Sequence, residues 1–167
     1  MEKDVCSEKV FSELFKNYSE ELYKFLYYKY GAQYNPRDLV QDAFSKLWDN
    51  CKKVLPEKAR GFLFTVANNL TLNVISRQKT AWSYEQLPHS GNTNESPEYV
   101  MEEAEYMDQL QEALDSLTEE QRVTFMLNRV EGKKHQEIAD MLGISRKAVE
   151  KRIYKALAIL REKVEGL

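Results

Sequence analysis

At 167 residues and a formal net charge of −3, the chain has room for one ordinary domain or two small helical ones, each with a modest core. Hydrophobic residues make up 43% and charged residues 31%; no apolar run approaches the roughly 20 residues that cross a bilayer, and the charged start "MEKDVCSEKVF" lacks the apolar stretch of a signal peptide, so a cytoplasmic protein is expected. The small net charge argues against a nucleic-acid binder only as an average, because residues 80–121 hold eleven carboxylates and no Lys or Arg, which leaves the rest of the chain a net cation.

Cys6 and Cys51 are too few and too far apart for a zinc knuckle. A lone disulfide is rare in a reducing compartment, so both are expected to be ordinary thiols. The first helix is read from Phe11, Leu14, Phe15, Tyr18, Leu22, Phe25 and Leu26, spaced by threes and fours along one face. "GAQYNPRD" breaks it, with Asn35 as N-cap of the next helix, Pro36 at its first position and Asp38 where a carboxylate suits the positive helix end. That second helix buries Leu39, Val40, Ala43, Phe44, Leu47 and Trp48. A basic loop, "NCKKVLPEKARG", leads to a third helix with the apolar set Phe62, Leu63, Val66, Ala67, Leu70 and Val74, ending near Lys79. Residues 80–98 collect Ser, Gly, Asn, Thr and two prolines without periodicity and read as a linker.

Helical pattern returns at Met107, Leu110, Leu114 and Leu117. Thr118 and Gln121 form a capping-box pattern that opens a helix through Val123, Met126, Leu127 and Val130, closed by Gly132. In "QEIADMLGISRKAVEKRIYKALAIL", Ile138, Ala139 and Leu142 face inward on a short helix and Gly143 makes the turn. Ser145 caps a second helix whose inward residues are Val149, Ile153, Ala156 or Leu157, and Leu160. No strand-like alternation appears. The fold class is all-α: two small helical domains joined by a flexible acidic linker, the C-terminal one a helix-turn-helix, with boundaries at 1–79, 80–104 and 105–167.

The last helix leaves Arg146, Lys147, Glu150, Lys151, Tyr154 and Lys155 exposed. Two cations in a first helical turn oppose the macrodipole, so folding alone would not place them there. A phosphate or a guanine edge would, because the N-terminal end of a recognition helix is what enters the major groove. Arg146, Lys147 and Lys151 are candidates for phosphate or base contacts, with phosphate the commoner partner. Glu150 suits a cytosine amino group, or an intrahelical pair with Arg146 or Lys147. The roles of Arg152 and Arg161 stay open at this level.

With that motif placed, "LTEEQRVTFMLNRVEGKKHQEIADMLGISRKAVEKRIYKALAILRE" closely resembles region 4 of the sigma-70 family. "NPRDLVQDAFSKLWDN" resembles region 2.2 and "RGFLFTVANNLTLNVISRQK" regions 2.3 and 2.4, in the order found in extracytoplasmic-function (group 4) sigma factors. The resemblance implies an RNA polymerase sigma factor that directs promoter-specific initiation, binding minus-35 duplex and melting minus-10 DNA, with no catalysis, cofactor or metal of its own. It implies the polymerase core as partner, through its β′ clamp helices and β flap, together with promoter DNA and, as for many group 4 factors, an anti-sigma factor. Carried over by position, Asp38, Gln41, Asp42 and Lys46 would meet the clamp helices. Asn50, Lys52, Lys53, Lys58, Arg60, Phe62, Asn68, Asn69 and Asn73 would handle minus-10 DNA, and Ser145, Arg146, Lys147, Glu150, Lys151, Tyr154 and Lys155 would face minus-35 DNA. Phe62 and Phe64 offer either a stacking surface for unpaired bases or core.

Two departures from the family pattern stand out. Thr65 and Asn68 occupy positions where many members carry Arg, which lowers the expected electrostatic share of minus-10 binding, and Lys134 stands where a Ser or Thr cap is usual. The acidic linker reads either as a solvated tether or, by resemblance, as a nucleic-acid mimic in the basic channel of the polymerase. The rival readings are a stand-alone helix-turn-helix transcription regulator, an enzyme, and a purely protein-binding helical adaptor, which the basic face after Ser145 argues against. The second has little to stand on: His89 and His135 are not spaced with any metal-binding cluster, and neither a phosphate-cradling glycine loop nor a nucleophile motif is present.

Overall fold

The computed structural model describes residues 4–82 and 98–167, and among them every regular element is helical. They fall into two compact units, each taken by itself below.

In the first unit, α1 (Glu8–Tyr30) buries Leu14, Leu22, Phe25 and Leu26. It stops at Gly31, whose φ of +95° suits a residue without Cβ and whose N–H donates to the Tyr27 carbonyl at 2.9 Å. A 3-10 turn over Ala32–Tyr34 leads to α2 (Pro36–Asp49). Pro36 and Asp38 sit in the first turn as expected, but Asn35 does not cap with its side chain. It takes the left-handed backbone conformation (φ 51°, ψ 64°), which asparagine tolerates better than most residues, so its contribution to the helix start is a bend. Leu39, Val40, Ala43, Phe44 and Leu47 are buried as the period predicted, whereas Trp48 is 46% exposed and Phe15 of α1 43% exposed.

The two helices run antiparallel. Phe11 meets Trp48 with ring centroids 5.1 Å apart, Phe15 meets Phe44 at 4.9 Å, and the Arg37 guanidinium lies 4.9 Å from the Tyr23 ring centroid. Continuing that register outward past Phe11 and Trp48 brings Cys6 to Cys51, and the two form a disulfide with Cα atoms 5.0 Å apart. The expectation of two ordinary thiols is therefore wrong: a separation of 45 residues along the chain is erased by a hairpin that folds the start of α1 onto the end of α2.

After a 3-10 turn at Pro56–Lys58, α3 (Ala59–Trp82) packs against both helices. Its buried stripe is Ala59, Leu63, Ala67 and Thr71, four residues apart each time, flanked by Phe64. Phe62, Val66, Leu70 and Val74 are only half-buried. Thr71 pays no penalty for its buried hydroxyl, which donates to the Ala67 carbonyl at 2.8 Å. The helix runs past the expected end at Lys79, and α4 (Glu98–Ser116) starts inside the expected linker. Residues 83–97, the remainder of that linker apart from its edges, lie outside the described residues.

In the second unit, α4 lies against the last helix through Ala113 and Leu117, which share a core with Phe125, Ala156, Leu160 and Val164. Leu110 and Leu114 pack at its edge, while Met107 is exposed. The Thr118 capping box is present: its hydroxyl accepts the Gln121 N–H at 3.2 Å and the Gln121 side chain accepts the Thr118 N–H at 3.1 Å. It opens α5 (Glu119–Arg129), which buries Val123 and Leu127 but ends before Val130, left 60% exposed. α6 (His135–Leu142) buries Ile138, Ala139 and Met141, with Leu142 half-buried. Lys134 has no acceptor to cap it, yet the reciprocal bond exists, the Glu137 carboxylate accepting the Lys134 N–H at 2.7 Å. Gly143 (φ 65°, ψ 34°) turns the chain into α7 (Arg146–Lys163), which buries Val149, Ile153, Ala156 and Leu160.

Candidate nucleic-acid and polymerase interface

The N-terminus of α7 is fixed by Ser145, whose hydroxyl accepts the Ala148 N–H at 3.1 Å. From there the helical period sorts the charges. Val149, Ile153, Ala156 and Leu160 turn inward, and Lys147, Lys151 and Lys155, four residues apart, form one exposed stripe. Arg146, Glu150 and Tyr154 lie beside it, and Tyr154, 77% exposed, is the most exposed large hydrophobic residue among the described positions. Arg146 Nε donates to Glu150 Oε1 at 3.1 Å, and His135 Nδ1 approaches the same oxygen to 3.6 Å. Glu150 is thus held in the intrahelical pair in this conformation. Arg152, left open by the sequence, is structural: its guanidinium reaches Glu120 at 2.8 Å and ties α7 to the start of α5.

The positions proposed for single-stranded DNA divide in two. Lys52, Lys53 and Lys58 are exposed around the turn between α2 and α3, and Asn69 and Asn73 are exposed on α3. Thr65 and Arg77 extend those two asparagines into an exposed row at four-residue spacing, a stripe that the sequence reading missed although the spacing was available. The others are engaged within the unit. Asn50 Nδ2 donates to the Lys46 carbonyl at 2.8 Å and finishes α2. Arg60 pairs with Glu21 at 3.0 Å and lies between the Tyr18 and Phe64 rings, at 5.8 and 5.9 Å from their centroids, pinning α3 to α1. The Asn68 side-chain oxygen accepts from Lys29 Nζ at 3.0 Å and from the Tyr30 hydroxyl. Phe64 is core, 5.1 Å from Phe25, and Phe62 is half-buried.

On α2 the residues Asp38, Gln41, Asp42 and Lys46 are all exposed on the side away from the core. An open groove beside them is lined by Phe11, Phe15, Gln41, Phe44, Ser45, Trp48 and Asp49. The exposed faces of Phe15 and Trp48 belong to this surface; the sequence assigned both to the core because their spacing fits the buried stripe.

Residues 14–81 match the family model "Sigma-70 region 2" and residues 107–160 match "Sigma-70, region 4". The chain belongs to the sigma-70 family. Its similarity extends to sigma factors of the extracytoplasmic-function (ECF) type: it is 27% identical over 156 residues to the ECF RNA polymerase sigma factor SigE of Mycolicibacterium smegmatis, covering 90% of this chain and 60% of that protein. It is 26% identical to the ferric citrate uptake sigma factor FecI of Escherichia coli K12, covering 88% of this chain and 86% of FecI. To the ECF RNA polymerase sigma factor SigX of Bacillus subtilis it is 23% identical, covering 96% and 86%. The chain therefore spans less than two thirds of SigE but most of FecI and SigX. Among solved structures, a chain of the RsbN-BldN complex aligns with 91% of this sigma chain at 19% identity, with a TM-score of 0.34. The region 2 match ends at the last turn of α3, and the region 4 match runs from α4 to Leu160 in α7.

Proposed function

We propose that this sigma factor binds core RNA polymerase and directs promoter-specific initiation. The C-terminal unit sets α7 into the major groove of duplex minus-35 DNA, and the N-terminal unit holds the polymerase and traps unpaired minus-10 bases. The observation that carries the reading is the α7 surface: a serine-capped helix start with two cations in its first turn, continued by an exposed lysine stripe opposite a fully apolar inner face. Lys147, Lys151 and Lys155 supply phosphate contacts, Arg146 and Tyr154 face base edges, and Ser145 and Glu150 act through the helix start and Arg146.

For minus-10 DNA the reading favours the exposed part of the expected set. Lys52, Lys53, Lys58, Asn69 and Asn73 are available to a nucleic acid, while Asn50, Arg60 and Asn68 support the surface from beneath. The exposed α2 face, with Asp38, Gln41, Asp42 and Lys46, is assigned to the β′ clamp helices, and the region 4 unit to the β flap. Run-off transcription with purified core polymerase and a promoter library tests the proposal. A promoter-dependent transcript that disappears when Arg146, Lys147 and Lys151 are changed to Ala is expected. DNA binding without polymerase association in a pull-down would instead identify a stand-alone regulator.

A further inference from the structure

The Cys6–Cys51 bond joins a docked terminus to a basic turn. On one side, Val5 is fully buried and holds residues 4–7 to the unit independently of sulfur, while within that segment the Cys6 N–H donates to Asp4 Oδ1 at 3.1 Å and the Ser7 N–H to the Asp4 carbonyl at 3.0 Å, closing a local turn. On the other side, Cys51 opens the turn after α2: its N–H reaches the Trp48 carbonyl at 3.1 Å, and the N–H groups of Lys53 and Val54 converge on the Asn50 carbonyl at 2.8 and 3.1 Å. Lys52 and Lys53 stand exposed on that turn, and both cysteines are half-buried, within reach of a small thiol.

We propose that Cys6 and Cys51 are a reversible thiol–disulfide site whose state sets how firmly the turn Cys51–Leu55 is held to the start of α1. The hairpin supplies the proximity. Phe11 and Trp48 pack one helical turn inside the pair, so the reduced cysteines stay neighbours and closing the ring is an intramolecular step.

The chemistry is thiol–disulfide exchange with a low-molecular-weight disulfide such as oxidised glutathione. One cysteine thiolate attacks a sulfur of that disulfide; its S–S bond breaks, one small thiol leaves with a proton, and a mixed disulfide remains on the protein. The thiolate of the second cysteine attacks the protein sulfur of the mixed disulfide, closing Cys6–Cys51 and releasing the second small thiol. Two protein thiols have lost two electrons together, and the small disulfide has become two thiols. Two equivalents of small thiol run the sequence backwards. The functional consequence rests on the minus-10 reading above: a turn already held in place has less freedom to lose when Lys52 and Lys53 meet a phosphate backbone, so the oxidised form binds single-stranded DNA roughly three- to tenfold more tightly.

The experiment equilibrates the full chain in glutathione buffers of graded ratio and traps thiols by alkylation. It then reads intact mass, amide exchange across residues 51–55, and affinity for a fluorescent pool of random single-stranded oligonucleotides. Both forms are expected to interconvert within the series, with turn amides exchanging about tenfold faster when reduced. Cys6→Ser should show the reduced rate in every buffer; if that variant fails to fold, reduced wild-type chain gives the same comparison without a substitution. A pair that never closes, a pair that never opens, or a turn with equal exchange in both states overturns the proposal. Exchange that follows the redox state while oligonucleotide affinity does not supports the site and counts against a minus-10 role for Lys52 and Lys53.

Discussion

The α7 surface makes a quantitative statement about salt. Lys147 and Lys151 are exposed and have no ion-pair partner among the described residues, so each should neutralise one phosphate when the helix enters the groove. Each such contact contributes about 0.9 to the slope of log affinity against log salt, and the double replacement Lys147→Ala, Lys151→Ala should lower the slope by about 1.8. Between 50 and 200 mM salt that amounts to roughly a 12-fold narrowing of the gap between wild type and variant, since each contact alone is about 3.5-fold over a fourfold salt change. Arg146 is different: Glu150, 3.1 Å away, already neutralises much of its charge. Arg146→Ala should change the slope by less than one contact, and Glu150→Gln should steepen it by freeing the guanidinium. The assay is filter binding of reconstituted holoenzyme to a selected promoter duplex over a potassium chloride series, the polymerase's own phosphate contacts cancelling in the comparison. An unchanged slope for the double lysine variant, or a shallower one for Glu150→Gln, refutes the assignment of this face to DNA.

Other expectations follow from single bonds. Ser145→Ala should destabilise the C-terminal unit by about 1 kcal/mol and Ser145→Gly by only a few tenths, read from amide exchange at Ala148 and Val149 in the full chain. Gly143→Ala meets no neighbouring atom within 4 Å, so its cost of about 1 kcal/mol should come from the left-handed backbone alone, measured by thermal denaturation. Asn68→Ala removes the side-chain oxygen that accepts from Lys29 Nζ and the Tyr30 hydroxyl and should cost about 1–3 kcal/mol, whereas Asn69→Ala should stay within about 0.5 kcal/mol of wild type in stability while weakening single-stranded DNA binding. Neutralising Asp108 and Glu112 on α4 should raise binding to non-promoter DNA several-fold at 50 mM salt and hardly at all at 300 mM, seen by fluorescence anisotropy.

What could be read from the sequence was whatever depends on a local period or a local bond. The Thr118 capping box, the Ser145 cap and the inward set Val149, Ile153, Ala156 and Leu160 each rest on residues three or four positions apart, the helix-turn-helix is built from such steps, and all are present. What depends on a neighbouring helix was not readable. Trp48 and Phe15 have the spacing of core residues, and only the arrangement of α1 on α2 leaves them on the surface. Asn68 and Arg60 carry polar groups that suit DNA, and only α1, supplying Lys29, Tyr30 and Glu21, shows that those groups are already used. The disulfide belongs with these: the rarity of disulfides in a reducing compartment pointed to two thiols, and only the hairpin register brings Cys6 to Cys51.

The low net charge of the chain conceals a polarity inside its C-terminal unit that, on the function proposed above, bears on how it would approach DNA. α4 packs on α7 through Ala113, Leu117, Ala156, Leu160 and Val164, and its outer side shows Glu105, Asp108, Glu112 and Asp115, all exposed, with no cation between Glu98 and Gln121. Packed helix axes lie about 8–10 Å apart and each helix with its side chains is about 5–6 Å in radius, so these carboxylates stand on the order of 20 Å from phosphates gripped by α7. At that distance in water each carboxylate–phosphate pair repels by about 0.2 kcal/mol before screening. One pair is negligible, but several carboxylates facing a run of phosphates sum to the size of one hydrogen bond, and the Debye length of about 8 Å at physiological salt removes most of it. The acidic face therefore does little to the affinity of a docked α7 at cellular salt. Its effect falls on encounter: an approach with α4 leading is repelled while one with α7 leading is attracted, which favours the orientation that can read a groove over those that only touch the backbone.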